Sequence, residues 1–184
     1  METKTFDPDE FLLDLYAMSR DEVQKMFDDE LSNGDVNLEK IEVMIKSGLV
    51  DIQNFYMYSG CISPLHWACE QNLPKIVKLL IEKGADIEDT EVHADGMSPL
   101  HIASKFNLTE CAKLLLEAGA DPMGLTCWEY TPLHFACDSS SYDVAKLLLE
   151  AGADPEAENE QGETPFQWTK GDKKMRDLLK KYLE

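Results

Sequence analysis

The chain has 184 residues, 43% hydrophobic and 29% charged, a size that suits one compact domain or one continuous solenoid. Its 36 acidic residues outnumber 17 basic ones for a net charge of −19, a field that repels nucleic acid and anionic lipid. No apolar run approaches the roughly 18 residues that span a bilayer, and the acidic start METKTFDPDEF argues against a secretory signal.

The first predicted helix opens at Asp7-Pro8-Asp9-Glu10, a cap followed by Pro and carboxylates where the helix dipole favours them. Phe11, Leu12, Leu15 and Tyr16 then recur at helical spacing. Ser19 with Glu22 starts a second helix carrying Val23, Met26, Phe27 and Leu31, and Asn33-Gly34-Asp35 ends it. A third runs from Leu38 to Gly48 and leads to Asp51. Its pattern recurs at Leu73–Asp86, Cys111–Asp121 and Val144–Asp154, each an amphipathic helix stopped by Gly, which accepts the left-handed conformation. The last apolar stripe is Met175, Leu178, Leu179, Tyr182 and Leu183, with Lys170, Lys173, Lys174, Arg176, Lys180 and Lys181 on its outer face.

Between these helices stand four copies of one phrase: Ser63-Pro64-Leu65-His66-Trp67-Ala68, Ser98-Pro99-Leu100-His101-Ile102-Ala103, Thr131-Pro132-Leu133-His134-Phe135-Ala136 and Thr164-Pro165-Phe166-Gln167-Trp168-Thr169. They are spaced 35, 33 and 33 residues apart, a period that marks a repeat array. Ser or Thr caps a helix, Pro fits its first position, and Leu and Ala turn inward. The phrase resembles the TPLHxA motif of the ankyrin-repeat family. The resemblance implies an all-α solenoid of helix-turn-helix repeats with β-hairpin-like fingers. Residues 1–19 then read as an N-terminal extension or capping helix. Residues 20–184 read as about five repeats, the first diverged and the last a basic C-terminal cap, giving five helix pairs plus a leading helix. Asn72, Asn107 and Ser140 stand at the inter-helix turn where the family usually has Gly. Asp95-Gly96 and Gln161-Gly162 suit finger turns, whereas Trp128-Glu129-Tyr130 has no glycine.

The resemblance gives His66, His101 and His134 a structural role, one per repeat, joining the cap to neighbouring loop backbone. His93, on a finger, is unexplained. Five cysteines without Cys-x-x-Cys spacing argue against a disulfide framework and a zinc site, so a reducing compartment, cytoplasm or nucleus, is expected. Cys69, Cys111 and Cys137 read as small core residues, and Cys61 and Cys127 as finger residues. No catalytic, cofactor-binding or metal-binding residue and no phosphate-cradling glycine loop is identified.

Finger aromatics are the better lead, because such positions are usually polar: Phe55, Tyr56, Met57 and Tyr58 in the first finger, Leu125, Trp128 and Tyr130 in the third. They read either as interface anchors or as internal bracing between fingers. In the family's concave groove, Glu70, Gln71, Lys105, Phe106, Asp138 and Ser139 follow the motif. The N-terminal helix either caps the array or docks in a partner. The expected function is a non-enzymatic adaptor or regulatory module, monomeric alone. It would bind a protein with a basic surface through groove and finger tips: Phe55, Tyr56, Tyr58, Glu70, Lys105, Phe106, Trp128, Tyr130 and Asp138. The alternative is an escort of a basic client such as a ribosomal protein or histone, and acidity serving solubility alone is also open.

Overall fold

Each Ser/Thr-Pro-Leu-His phrase that keeps its histidine starts a seven-residue helix: α4 (Pro64–Glu70), α6 (Pro99–Lys105) and α8 (Pro132–Asp138). The caps Ser63, Ser98 and Thr131 are extended, and proline occupies the first turn, where no backbone N–H is needed. The turn that follows is left-handed at Asn72, Asn107 and Ser140, with φ of 52, 53 and 54°. A second helix runs back along the first: α5 (Pro74–Glu82), α7 (Thr109–Glu117) and α9 (Tyr142–Glu150).

The computed structural model describes residues 6–32, 36–53, 55–57, 60–90 and 95–183, with backbone alone for 55–57, 60 and 61. Ahead of the three regular pairs lie α1 (Pro8–Ala17), α2 (Arg20–Ser32) and α3 (Leu38–Ser47). The inner helices α4, α6 and α8 stack in one row, and α3, α5, α7, α9 and α10 (Lys173–Lys180) form a second row behind it. Between the rows lie Leu65, Leu80, Leu100, Leu115, Leu133 and Leu148, all essentially inaccessible. Ala68, Ala103 and Ala136 recur at one buried position, where a methyl lets adjacent inner helices approach. At the front, α1 packs on α3 through the buried Leu15.

The fourth phrase departs from the expected five helix pairs. It forms only a three-residue 3-10 turn, Gln167–Thr169, before Lys170 (φ 48°) and Gly171 (φ 87°) break the chain. Gln167 Oε1 accepts from the Thr164 N–H at 2.6 Å, so the bond to the cap backbone survives although the histidine does not. The closing helix α10 buries Met175, Leu178 and Leu179, and the Lys174 ammonium sits 3.6 Å over the Tyr142 ring.

Fingers connect the repeats. The first contains an antiparallel ladder of β1 (Phe55–Met57) and β2 (Gly60–Ile62), pairing Phe55 with Ile62 and Met57 with Gly60. Among the described residues the other fingers are built from turns. Each begins with an aspartate whose Oδ1 accepts the N–H two residues on, at 2.8–2.9 Å for Asp51, Asp86, Asp121 and Asp154. The residue at that second position then reaches the next repeat. Gln53 Oε1 accepts from Asp86 N at 2.9 Å, and Glu88 Oε1 from Asp121 N at 2.8 Å. In the third finger Met123 offers only its thioether sulfur to Asp154 N, at 3.1 Å.

The glycine-free third finger solves its tip by holding Glu129 at φ 60°, the register position of Gly96 (φ 75°) and Gly162 (φ 73°). A side chain there costs about 1 kcal/mol. Glu129→Gly should therefore raise the thermal midpoint by about 2–4 °C, measured by calorimetry. An unchanged or lower midpoint would show that the glutamate side chain compensates for its backbone.

Candidate functional site

The histidines occupy equivalent buried places, and both ring nitrogens of each are engaged. Nδ1 lies 2.7, 2.8 and 2.9 Å from the hydroxyls of Ser63, Ser98 and Thr131. Ser98 N and Thr131 N also donate to Nδ1 of His101 and His134, at 3.1 Å each, which fixes Nδ1 as an acceptor there. Nε2 therefore carries the proton and donates to the carbonyl before the next cap: Met97 for His66, Tyr130 for His101 and Glu163 for His134, at 3.0–3.1 Å. Burial lowers the affinity of all three for a second proton and brings His101 down to about 4. A neutral ring tied at both nitrogens has no free lone pair for a metal or a substrate.

The cysteines offer no better nucleophile. Cys69, Cys111 and Cys137 are buried. Burial, with Asp138 and Asp172 adding, pushes the Cys137 thiol up to about 12. A hydrogen bond with Cys111, then burial, raises Cys69. Cys127 is exposed on the third finger, and the Cys61 side chain lies outside the described residues. Among the described residues, no three His, Cys, Asp or Glu side chains gather as a metal site would require.

The expected binding residues divide into two rows at opposite ends of the inner helices. Fingers lead into the helix N-termini, whereas Glu70, Lys105, Phe106 and Asp138 lie at the C-termini. Seven helical residues at 1.5 Å each put the rows at least about 10 Å apart. The C-terminal row is largely self-neutralised. The Asp138 carboxylate meets the Lys170 ammonium at 2.6 Å, and the Lys105 charge acts on Glu70, opposing the upward push of burial on that carboxyl. Lys105 also lies 5.5 Å over the ring of Phe106, itself 56% exposed. Glu70 and Asp138 thus already face cations of this chain.

The finger row is different. Trp128 is 48% exposed and its indole N–H donates to Asp95 Oδ1 at 3.2 Å, which pins the ring between two fingers. Leu125 on the same finger is 54% exposed. Tyr130, in contrast, is a brace: its hydroxyl donates to Gln161 Oε1 at 3.2 Å, and its ring lies 4.8 Å from Trp168 and 5.9 Å from Phe135. Main-chain bonds link the tips, from Cys127 N to Asp95 O at 2.8 Å and from Glu160 N to Trp128 O at 3.4 Å. The approach is so close that a Cβ on Gly96 would meet Cys127 Sγ at 2.8 Å. The side chains of Phe55 and Tyr56, and Tyr58 and His93 altogether, lie outside the described residues.

Charge is segregated by element. The finger segments 51–62, 86–97, 121–130 and 154–163 contain 13 acidic residues and no lysine or arginine. On the outer row α3, α5, α7 and α9 pair their own charges instead, Lys46 with Glu42, Lys78 with Glu82, Lys113 with Glu117 and Lys146 with Glu150. The net charge of the chain hides this segregation, which the composition of each element shows.

A family model described as ankyrin repeats, three copies, matches residues 65–159, just over half of the chain. Comparison with the curated proteins gave no match. Among the described residues no helix is long and apolar enough to cross a membrane.

Proposed function

Because this chain belongs to the ankyrin-repeat family, whose repeats generally mediate protein–protein interaction, we propose that it is a non-enzymatic adaptor or regulatory module whose partner presents a basic surface to the finger edge. One observation carries this reading: four fingers hold 13 acids and no cation around the exposed Trp128 and Leu125. Charge of one sign on one edge raises the encounter rate of an oppositely charged partner. A desolvated tryptophan at its centre sets residence time. The C-terminal row contributes less, since Glu70 and Asp138 already answer to Lys105 and Lys170.

The test uses a partner captured by the wild-type chain and identified by mass spectrometry. Trp128→Ala should speed its dissociation by roughly 30-fold, about 2 kcal/mol. The double reversal Glu129→Lys with Glu160→Lys should slow association about tenfold and flatten its salt dependence. Folded variants with wild-type kinetics would move the site off the fingers.

A further inference from the structure

The exposed apolar step of Leu125 and Trp128 sits in a row of tips with one register, and that geometry selects among basic partners. We propose that the finger edge is a rail for an extended, polyproline-type basic segment with an arginine or lysine at every third residue, one cation for each of the second, third and fourth fingers. The inference rests on the reading of the fingers as the binding edge.

Four observations lead to it. First, the tips repeat with the helices beneath them, so they advance by the packing distance of neighbouring helices, about 8–10 Å. Second, each tip from the second to the fourth finger exposes a carboxylate, Asp95, Glu129 and Glu160. Third, main-chain bonds join these tips directly, Cys127 N to Asp95 O and Glu160 N to Trp128 O, so the row is continuous and not a set of separate knobs. Fourth, no lysine or arginine in any finger competes for the carboxylates.

A polyproline-type chain rises about 3.1 Å per residue with three residues per turn, so every third side chain returns to one face, whereas a β-strand would turn alternate cations away. Three residues therefore cover about 9–10 Å, the pitch of the row. A helical ligand advances only about 4.5 Å in three residues and would put its charges between the tips. The occupant is cationic because the edge is anionic throughout, which disfavours nucleic acid and acidic membranes alike. Arginine suits the central position better than lysine. Its flat guanidinium can stack on the Trp128 ring, whose pose Asp95 fixes, while Asp95 and Glu129 flank it.

Two synthetic ten-residue peptides of identical composition test this, each with three arginines in a glycine, serine and proline background. One places them at every third residue and the other in a contiguous block. Each is titrated by calorimetry at low salt onto the full chain, the Trp128→Ala variant and the Glu129→Lys/Glu160→Lys variant. The proposal expects the spaced peptide to bind wild type at least tenfold tighter than the block, with that advantage lost in Trp128→Ala. Equal affinity for both peptides, weakened by charge reversal, would overturn the three-residue register and leave the acidic edge as the binding site. Binding of neither, or binding indifferent to both variants, would overturn the register together with the finger reading.

Discussion

Replacing His101 with alanine should destabilise the chain by about 3–5 kcal/mol and lower its thermal midpoint by about 10 °C. The substitution empties a buried aromatic-sized volume and removes one partner from each of the bonds that link the cap to the next repeat. Ser98, itself buried, loses the Nδ1 acceptor of its N–H and hydroxyl, and the Tyr130 carbonyl loses one of two donors, keeping the Thr126 N–H. Each buried polar group left alone costs about 1–3 kcal/mol. The second loss is the more instructive because Tyr130 precedes the cap of the next repeat, so the imidazole couples two units. In a stacked array, stability is the sum of units and their interfaces. Cutting one interface should therefore also reduce the denaturant slope as the halves begin to unfold separately. His101→Gln should recover part of the loss, since Gln167 shows that a glutamine carbonyl can take the cap N–H. Urea unfolding of the three proteins checks this. Equal stability of His101→Ala and wild type would remove the histidines from the architecture.

Much of this organisation was legible because the motif encodes local stereochemistry. A Ser or Thr cap, a Pro at the first turn and a Gly at the stop each act within a few residues, so the three regular helix pairs follow from sequence. The first departure is also local but subtler. The fourth phrase keeps its cap and proline, yet Gln167 and the Lys170-Gly171 break reduce it to a 3-10 turn. What the sequence hid depends on registry between repeats. Asp138 meets Lys170, and Tyr130 meets Trp168, only after the stack brings residues more than thirty positions apart together. Phase decides whether an aromatic braces or projects, which separates Tyr130 from Trp128 although both occupy the same finger. Glu129 shows the converse case. Its backbone position could be inferred from Gly96 and Gly162, because the period supplied the register before any coordinate did.

Acidification from pH 7 to pH 5 should cost the wild-type chain about 2 kcal/mol more than it costs His101→Gln. The sign follows from where the protons go. His101 has an ordinary value of 6.5 and is held at about 4 in the folded chain, chiefly by burial. Between those values the unfolded chain binds the proton and the folded chain does not. Stability therefore falls as pH drops through this window, and the fall levels off below about 4. Over the whole window the displacement is worth about 3 kcal/mol, of which about 2 lies above pH 5. His66 and His134 are lowered for the same reason and act in the same direction, although the Asp89 carboxylate 3.9 Å from His66 Nδ1 partly opposes burial there. Asp28 and Glu70 are raised by burial, so they favour the folded chain as pH falls and offset part of the loss. Glu22 and Asp172, lowered by hydrogen bonds at helix starts, matter only near and below their ordinary values of 4.5 and 3.8. All of these other groups are common to both proteins, so the difference between wild type and His101→Gln isolates one imidazole. Chemical denaturation at pH 5 and pH 7 supplies that difference. Parallel losses in the two proteins would mean that His101 takes up its second proton without leaving the fold, and the buried neutral ring would have to be abandoned.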